Sequence, residues 1–270
     1  EVHWPGAILM WNKLVEAGDI YKKSYKGLYC VGCEAFVTEK DLVNGKCHYH
    51  DTAPELLEEE NYFFKLSKYT EKVKEKVVSG ELNVMPESRK SEILALLDRG
   101  LEDVSFSRPA SKNPWAIPVP SDPTQTMYVW CDALVNYISA IGYGRDDAMF
   151  EMYWPADFHV IGKDILRFHA AFWPAMLMSA GLPLPKTILV HGMILSGGRK
   201  MSKTLGNVID PQVLIAEYGK DAFRYFLARH LSTFEDSEIT PESYKDAYNA
   251  NLANGIGNLV SRVMKMATLY

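Results

Sequence analysis

No stretch of this chain stays apolar for the roughly 20 consecutive residues that a bilayer-spanning helix needs. No charged leader followed by an apolar core opens it either. The expectations are a cytoplasmic location and no membrane partner. An excess of one charge is missing as well. Lys and Arg number 29 against 34 Asp and Glu, a formal net charge of −5, so contact with nucleic acid would have to rest on local basic patches. Cysteine is scarce, at four residues, and three of these cluster with two histidines, which suits metal ligation better than a disulfide framework. There is no internal repeat and no low-complexity segment. The chain opens without methionine and closes inside a helical pattern, so it is expected to be part of something longer. What remains is 270 residues of ordinary globular composition, 47% hydrophobic and 23% charged, enough for one large domain or two smaller ones.

The centre of the reading is Gly197-Gly198-Arg199-Lys200-Met201-Ser202-Lys203-Thr204-Leu205-Gly206-Asn207. An apolar strand pattern, Thr187 to His191, precedes it. Asp210-Pro211 follows it as a helix start, with Asp as N-cap and Pro at the first position. A cationic loop with glycines on both sides suits a polyphosphate: lysines supply point charge, backbone N–H groups supply donors, and glycine lets the backbone approach or move. A solvated basic turn is the plainer alternative.

Cys30-Val31-Gly32-Cys33 and Cys47-His48-Tyr49-His50 form two ligand pairs thirteen residues apart. Two such turns build a tetrahedral zinc site, so Cys30, Cys33, Cys47 and His50 are the expected ligands, with His48 the weaker fourth candidate. Four protein ligands leave no open position, which makes the expected Zn2+ structural. A redox Cys-x-x-Cys would need only the first pair.

Elsewhere, Pro5–Ala17 reads as a helix with Ile8, Trp11 and Val15 on one face, Leu14 flanking it, and Gly18 as its cap. Glu55 to Asn61 reads as exposed acidic chain and Asn61–Leu66 as a strand. The lysines at 65, 68, 72, 74 and 76 read as a solvated helix face. Ser88–Asp98 is a helix, and the proline-rich 107–123 a loop. Met127–Trp130 is a strand, with Asp132 capping a helix through Ile138. On that helix Ala133 and Tyr137 share a face beside Trp130. This could be a pocket for a slim apolar chain, although spacing alone favours core packing. Phe158–Ile161 runs as a strand into Gly162-Lys163-Asp164 and a helix from Ile165, a geometry that accepts ribose and phosphate. His169 shares the face of Ile165, and Pro174 is expected to kink that helix. From Tyr244 to Met266 an apolar stripe marks a helix face seeking a bundle.

Taken together, Tyr128-Val129-Trp130-Cys131-Asp132-Ala133, Ile161-Gly162-Lys163-Asp164-Ile165, Phe172-Trp173-Pro174-Ala175-Met176-Leu177 and Lys200 to Asn207 resemble the bacterial methionyl-tRNA synthetases over nearly the whole chain. Lys200–Thr204 matches the class I Lys-Met-Ser-Lys-Ser signature except for Thr204. The resemblance implies an α/β fold: the C-terminal half of a Rossmann-type class I catalytic domain with a zinc-knuckle insertion, then the start of an α-helical bundle. On that basis residues 1–25 would be a catalytic-domain helix, 26–65 the zinc-binding insertion, 66–231 the catalytic domain and 232–270 the start of the anticodon-binding domain. Trp130, Ala133, Tyr137, Ile165 and His169 would line a methionine pocket, with the Tyr137 hydroxyl or His169 as donors to the thioether. Gly162, Asp164, Lys200, Ser202 and Lys203 would bind ATP, taken with Mg2+ as substrate, and Lys200 and Lys203 would be catalytic. The partners would be methionine, ATP and tRNA(Met). The family's His-Ile-Gly-His signature is absent, so the chain alone is expected to be inactive. A non-catalytic zinc-containing RNA-binding module is the alternative, which would need neither the lysine loop nor the pocket residues.

Overall fold

Helix α1 (Trp4–Glu16) begins the computed structural model, which describes residues 2–31, 35–37, 42–47, 52–201 and 206–269. Its buried face is Ala7, Met10, Trp11 and Leu14, whereas Val15 is 47% exposed. The expected face of Ile8, Trp11 and Val15 is therefore rotated, because the i, i+3, i+4, i+7 set starting at Ala7 is the continuous stripe. Gly18, at φ +69°, ends the helix with its N–H on the Val15 carbonyl at 2.9 Å.

Strand β1 (Ile20–Cys30) pairs antiparallel with a later strand, here β5 (Glu55–Phe64), over a register from Ile20↔Phe64 to Tyr29↔Glu55. The acidic stretch from Glu55 is thus strand and not loose chain. Its partner carries Lys22, Lys23 and Lys26, and the Lys22 ammonium sits 3.0 Å from the Glu60 carboxylate and 3.1 Å from that of Asp122. Opposite charges across the ladder make this acidic run compatible with a sheet. Between the two long strands lie β2 (Ala35–Val37), paired with β1, and the hairpin β3 (Leu42–Val43) and β4 (Lys46–Cys47). Helix α2 (Thr70–Ser79) buries Val73 and Val77. Three of the lysines read as a solvated face keep that exposure while pairing with carboxylates: Lys68 with Asp19, Lys74 with Asp98 and Lys76 with Glu81. After β6 (Asn83–Met85) comes α3 (Glu87–Asp98), ending near Gly100 at φ +82°. Strand β7 (Val104–Ser105) completes a sheet of order β2-β1-β5-β7.

The proline-rich segment is not a loop throughout. It supplies β8 (Ser107–Pro109), β9 (Pro118–Val119) and β10 (Asp122–Met127) in a sheet of order β8-β10-β9. Pro109 and Pro118 fall on its two edge strands, where a missing N–H costs no ladder bond. The expected strand at Met127–Trp130 stops at Met127. Helix α4 (Val129–Ala133) already holds Trp130 and Asp132, so Asp132 lies inside a helix and does not cap one. Helix α5 (Asn136–Ser139) then carries Tyr137. Helix α6 (Asp147–Tyr153) is capped by Asp146. Strand β11 (Phe158–Gly162) leads through a tight turn to a π-helical segment, Phe168–Phe172, and then to α7 (Trp173–Ser179). Pro174 therefore sits in the first turn of α7. The wider turn before it accommodates a ring that lacks an N–H and would crowd an α-helical carbonyl. Strand β12 (Thr187–His191) follows, in a sheet of order β11-β12-β6.

The rest of the chain holds the hairpin β13 (Ile194–Ser196) and β14 (Arg199–Lys200), then α8 (Pro211–Tyr218) and α9 (Lys220–His230). Strand β15 (Ser237–Glu238) runs parallel to β13. Helix α10 (Pro241–Ala247), the π-helical segment Tyr248–Gly257 and α11 (Asn258–Leu269) complete it. Asp210 accepts from Gln212 N–H at 2.8 Å with Pro211 at the helix start. Leu214, Phe226, Ile239 and Tyr244 form a core. Further along the stripe Ile256, Leu259, Val263 and Met266 are all more than half exposed. By contacts the chain divides into two units, residues 1–159 with 165–188, and residues 160–164 with 189–270.

Candidate active site

Two groups of predicted side chains lie in the two units, and each is described by itself. In the first, the turn between α4 and α5 buries Leu134 and Val135, and α5 buries Ile138, while Trp130, Ala133 and Tyr137 stay half-buried. That split keeps these three side chains out of the fully packed core. The indole of Trp130 stacks on Phe168, with ring centroids 4.0 Å apart and planes 8° from parallel, and meets His169 edge-on at 6.2 Å. The Tyr137 hydroxyl lies 2.8 Å from Nε2 of His169. Nδ1 of His169 lies 3.0 Å from the Ile165 carbonyl.

Chemistry fixes the hydrogens along this line. A carbonyl only accepts, so Nδ1 carries the proton. Burial holds His169 below the ordinary histidine range, although the bond to Ile165 opposes it, so the ring is neutral near pH 7. Nε2 is then an acceptor, and the Tyr137 O–H donates to it. Both donors expected for a thioether are therefore engaged within the protein, which leaves ring faces and the Tyr137 oxygen lone pairs to meet a ligand.

Sequence reading missed His159 here. It is 4% exposed, accepts from the Trp173 indole N–H at 3.2 Å, and packs on Tyr137 with centroids 4.2 Å apart. In the sequence it stood only as part of the strand Phe158–Ile161. Burial, with His169 adding to it, lowers the His159 pKa to about 4. A histidine depressed on folding binds its proton first in the unfolded chain, so its stabilisation is complete above about pH 6.5 and falls away toward pH 4. His159 alone then accounts for a loss of about 3 kcal/mol across that window. Thermal unfolding followed from pH 7.5 to 4.5 should show that decline, and His159→Gln should flatten it. A level midpoint in the unsubstituted chain would refute the assignment.

The second group is Gly162, Asp164 and Lys200. The Lys200 ammonium lies 2.6 Å from the Asp164 carboxylate, and this contact holds the Asp164 pKa below the usual range against partial burial. A Cβ on Gly162 would come within 3.0 Å of Asp164 Oδ1, so glycine leaves that carboxylate its place. Gly197 and Gly198, at φ +66° and +69°, form the two-residue turn between β13 and β14 that demands positive φ at both positions. Both of their N–H groups donate to the Glu238 carboxylate, at 2.5 and 3.1 Å. The Asn207 amide donates to the Ser196 and Lys200 carbonyls at 3.1 and 3.2 Å. These glycines thus serve a clamped turn. Glu238 and Asn207 carried no sequence signal beyond Asn207's place after the signature. Lys163 pairs with Asp236 at 2.6 Å.

Ser202 and Lys203 lie outside the described residues, as do Cys33, His48 and His50. Cys30 and Cys47 are described, at 1% and 2% exposure. Cys131, expected as a buried thiol, is buried, and burial pushes its pKa up.

Residues 33–264 match the family model for tRNA synthetases class I (M). The chain is 48% identical over 262 residues to the methionine--tRNA ligase of Caldanaerobacter subterraneus subsp. tengcongensis, covering 97% of this chain and 41% of that protein. It is 45% identical to the Thermotoga maritima methionine--tRNA ligase, again over 41% of that protein. Among solved structures, Mycobacterium tuberculosis methionyl-tRNA synthetase bound by methionyl-adenylate aligns with a TM-score of 0.90 at 40% identity, over 99% of this chain and 53% of that one. The apo form of the same enzyme aligns at 0.85 and 38% identity. The chain thus spans about two-fifths of the length of these curated relatives. By the family model's match across most of its length, this chain belongs to the class I tRNA synthetases, group M.

Proposed function

We propose that this chain is the part of a methionine–tRNA ligase that shapes the methionine side-chain pocket and presents the lysine signature. The observation that carries this is the half-buried set Trp130, Ala133, Tyr137 and Ile165, backed by the buried His169 that accepts from the Tyr137 hydroxyl, on a backbone that aligns with an adenylate-bound relative. In the reaction, the methionine carboxylate attacks the α-phosphate of ATP, taken with Mg2+, and pyrophosphate leaves. The adenylate is then transferred to a hydroxyl of tRNA(Met). The pocket accepts the thioether by shape and by sulfur–aromatic contact with Trp130, since its own donors are engaged. Gly162 and Asp164 meet the ATP ribose. Ser202, Lys200 and Lys203 serve the phosphates, where charge moves toward the leaving group. Residues 232–270 are the start of the anticodon-binding bundle, 26–65 the insertion, and 1–25 with 66–231 the catalytic domain. Among the described residues no helix is long and apolar enough to cross a membrane. A cytoplasmic location completes the reading.

Structural zinc belongs to the same proposal. Cys30 and Cys47 both meet Thr52: Cys30 Sγ lies 3.9 Å from its hydroxyl, and Cys47 N–H donates to its carbonyl at 2.9 Å. The two buried cysteines, at the ends of β1 and β4, thus share Thr52 as a neighbour, one through its sulfur and one through its backbone, and buried thiols fit thiolate ligation, with Cys33 and His50 as the other ligands. The expected content is one zinc per chain, falling well below that in Cys47→Ser. Full metal content in the variant would remove Cys47 from the site.

Methionine-dependent ATP–pyrophosphate exchange tests the whole reading. A full-length synthetase carrying this chain should exchange, and the 270-residue chain alone should not. RNA binding without exchange by the full-length protein would favour the zinc-containing RNA-binding module.

A further inference from the structure

The walls of the proposed pocket stand on two short helices with a break between them: Trp130 and Ala133 on α4, Tyr137 on α5. Helices of five and four residues have little stability of their own, and the angle between them sets the gap that a side chain would enter. One side chain from far away in sequence spans the break. His3, just ahead of α1, places Nε2 against the Asp132 carboxylate on α4 and Nδ1 2.7 Å from the Ser139 hydroxyl on α5. The carboxylate accepts from Nε2–H. The hydroxyl can give to or take from Nδ1, so the bridge holds whichever way the proton sits on that side. Ser139 itself is 2% exposed, and its carbonyl accepts from Arg145 at 2.9 Å.

A backbone contact locks the same seam. A Cβ on Gly6 would stand 2.8 Å from Ser139 Cβ, and one on Gly144 would stand 3.2 Å from Gly6 Cα. The first turn of α1 therefore lies flush on α5 and carries His3 into place.

We infer that His3 is a positioning residue for the methionine pocket, joining Asp132 and Ser139 so that Trp130 and Tyr137 keep their separation. The inference rests on the ligase reading. Its test is steady-state exchange by the full-length synthetase, comparing His3→Ala, Asp132→Ala, the double variant and the milder Ser139→Ala. Because a misplacement of about 1 Å at a site can cost about a hundredfold, His3→Ala should raise the methionine KM about tenfold or more and the ATP KM less than about twofold. Ser139→Ala should move it the same way by a smaller factor. The double variant should be no worse than about twice the worse single variant, because both substitutions break one bridge. A lowered melting temperature with an unchanged methionine KM would mean a purely structural role and overturn the inference. Equal rises in both KM values, or singles that multiply in the double variant, would also overturn it. Should His3→Ala not fold, Ser139→Ala decides alone: an unchanged methionine KM refutes the bridge. If the unsubstituted synthetase showed no methionine-dependent exchange, the ligase reading would fall and this inference with it. Exchange with KM values indifferent to the substitutions would sink the inference alone.

Discussion

Lys203→Ala in a full-length synthetase carrying this chain is expected to lower the rate of adenylate formation by about a hundred- to a thousandfold, the usual loss when a group aimed at developing charge is removed. Its effect on resting ATP affinity should be small. Lys200 is already held by Asp164 at 2.6 Å. Both of these side chains are well exposed, so the pair itself contributes little, at most about 1 kcal/mol. In the proposed mechanism Lys200 would exchange that carboxylate for a phosphate, whereas Lys203 is assigned to the transition state. Its charge counts most when electrons move toward the leaving pyrophosphate in a site closed to water. Single-turnover adenylation measured beside equilibrium ATP binding separates the two effects. A variant that lost ATP affinity while keeping its rate would make Lys203 a ground-state clamp.

Asp19→Ala should destabilise the chain by about 3–5 kcal/mol, the range for removing one member of a buried charged network. The Asp19 side chain is fully buried and receives Lys68 at 2.6 Å, Tyr69 at 2.5 Å and Ser179 at 2.7 Å. Burial by itself would raise its pKa, but these three hydrogen bonds outweigh that and hold it below the ordinary value of 3.8. A depressed carboxyl stabilises above its unfolded pKa, and that contribution is lost as pH falls through the folded value. The loss in Asp19→Ala should sit toward the lower end of the range, because the Lys68 side chain, at 47% exposure, can regain water. The Tyr69 hydroxyl, on a side chain 4% exposed, has no such relief and costs about 1–3 kcal/mol when stranded, whereas the part-exposed Ser179 can turn to water. Asp19→Asn, which keeps the shape and an acceptor, should fall between. Denaturant unfolding at pH 7 and again at pH 3 would measure both; a loss below about 1 kcal/mol at pH 7 would contradict the network's importance.

What could be read in advance follows from how far apart the interacting residues stand. The helix start at Asp210-Pro211 was legible because a cap is a contact between neighbours. The single helix expected to carry Ala133 and Tyr137 on one face was not: a turn at Leu134-Val135 splits it into α4 and α5. The acidic strand from Glu55 was not, because its justification lies on β1, beyond the hairpin. The edge positions of Pro109 and Pro118 depend on strand order, which no local pattern encodes. His3 and Asp132, 129 residues apart, carry no mutual signal at all. The rotated face of α1 had a different cause. Val15 and Ile8 are as apolar as the residues chosen, and only the partner surface decides between adjacent stripes.

The paired strands β1 and β5 make a ribbon ten register positions long, about 30 Å at the rise of an extended chain. Its root is stiff: β7 pairs with Phe63 and Phe64, and Lys65 N–H donates to the Asp19 carbonyl at 2.9 Å. Farther out it is tied again: Lys22 reaches Asp122 at 3.1 Å, the Gln125 amide donates to the Glu60 carbonyl at 2.9 Å, and the Lys112 ammonium lies 4.8 Å from the centre of the Tyr29 ring. Mechanically it is a braced beam, stayed along its length, with Cys30 at its far end. A load at that end is taken up by the stays. Whatever occupies residues 31–54 can be enlarged, trimmed or exchanged at the Tyr29↔Glu55 junction, while the walls formed by Trp130, Tyr137 and His169 keep their spacing.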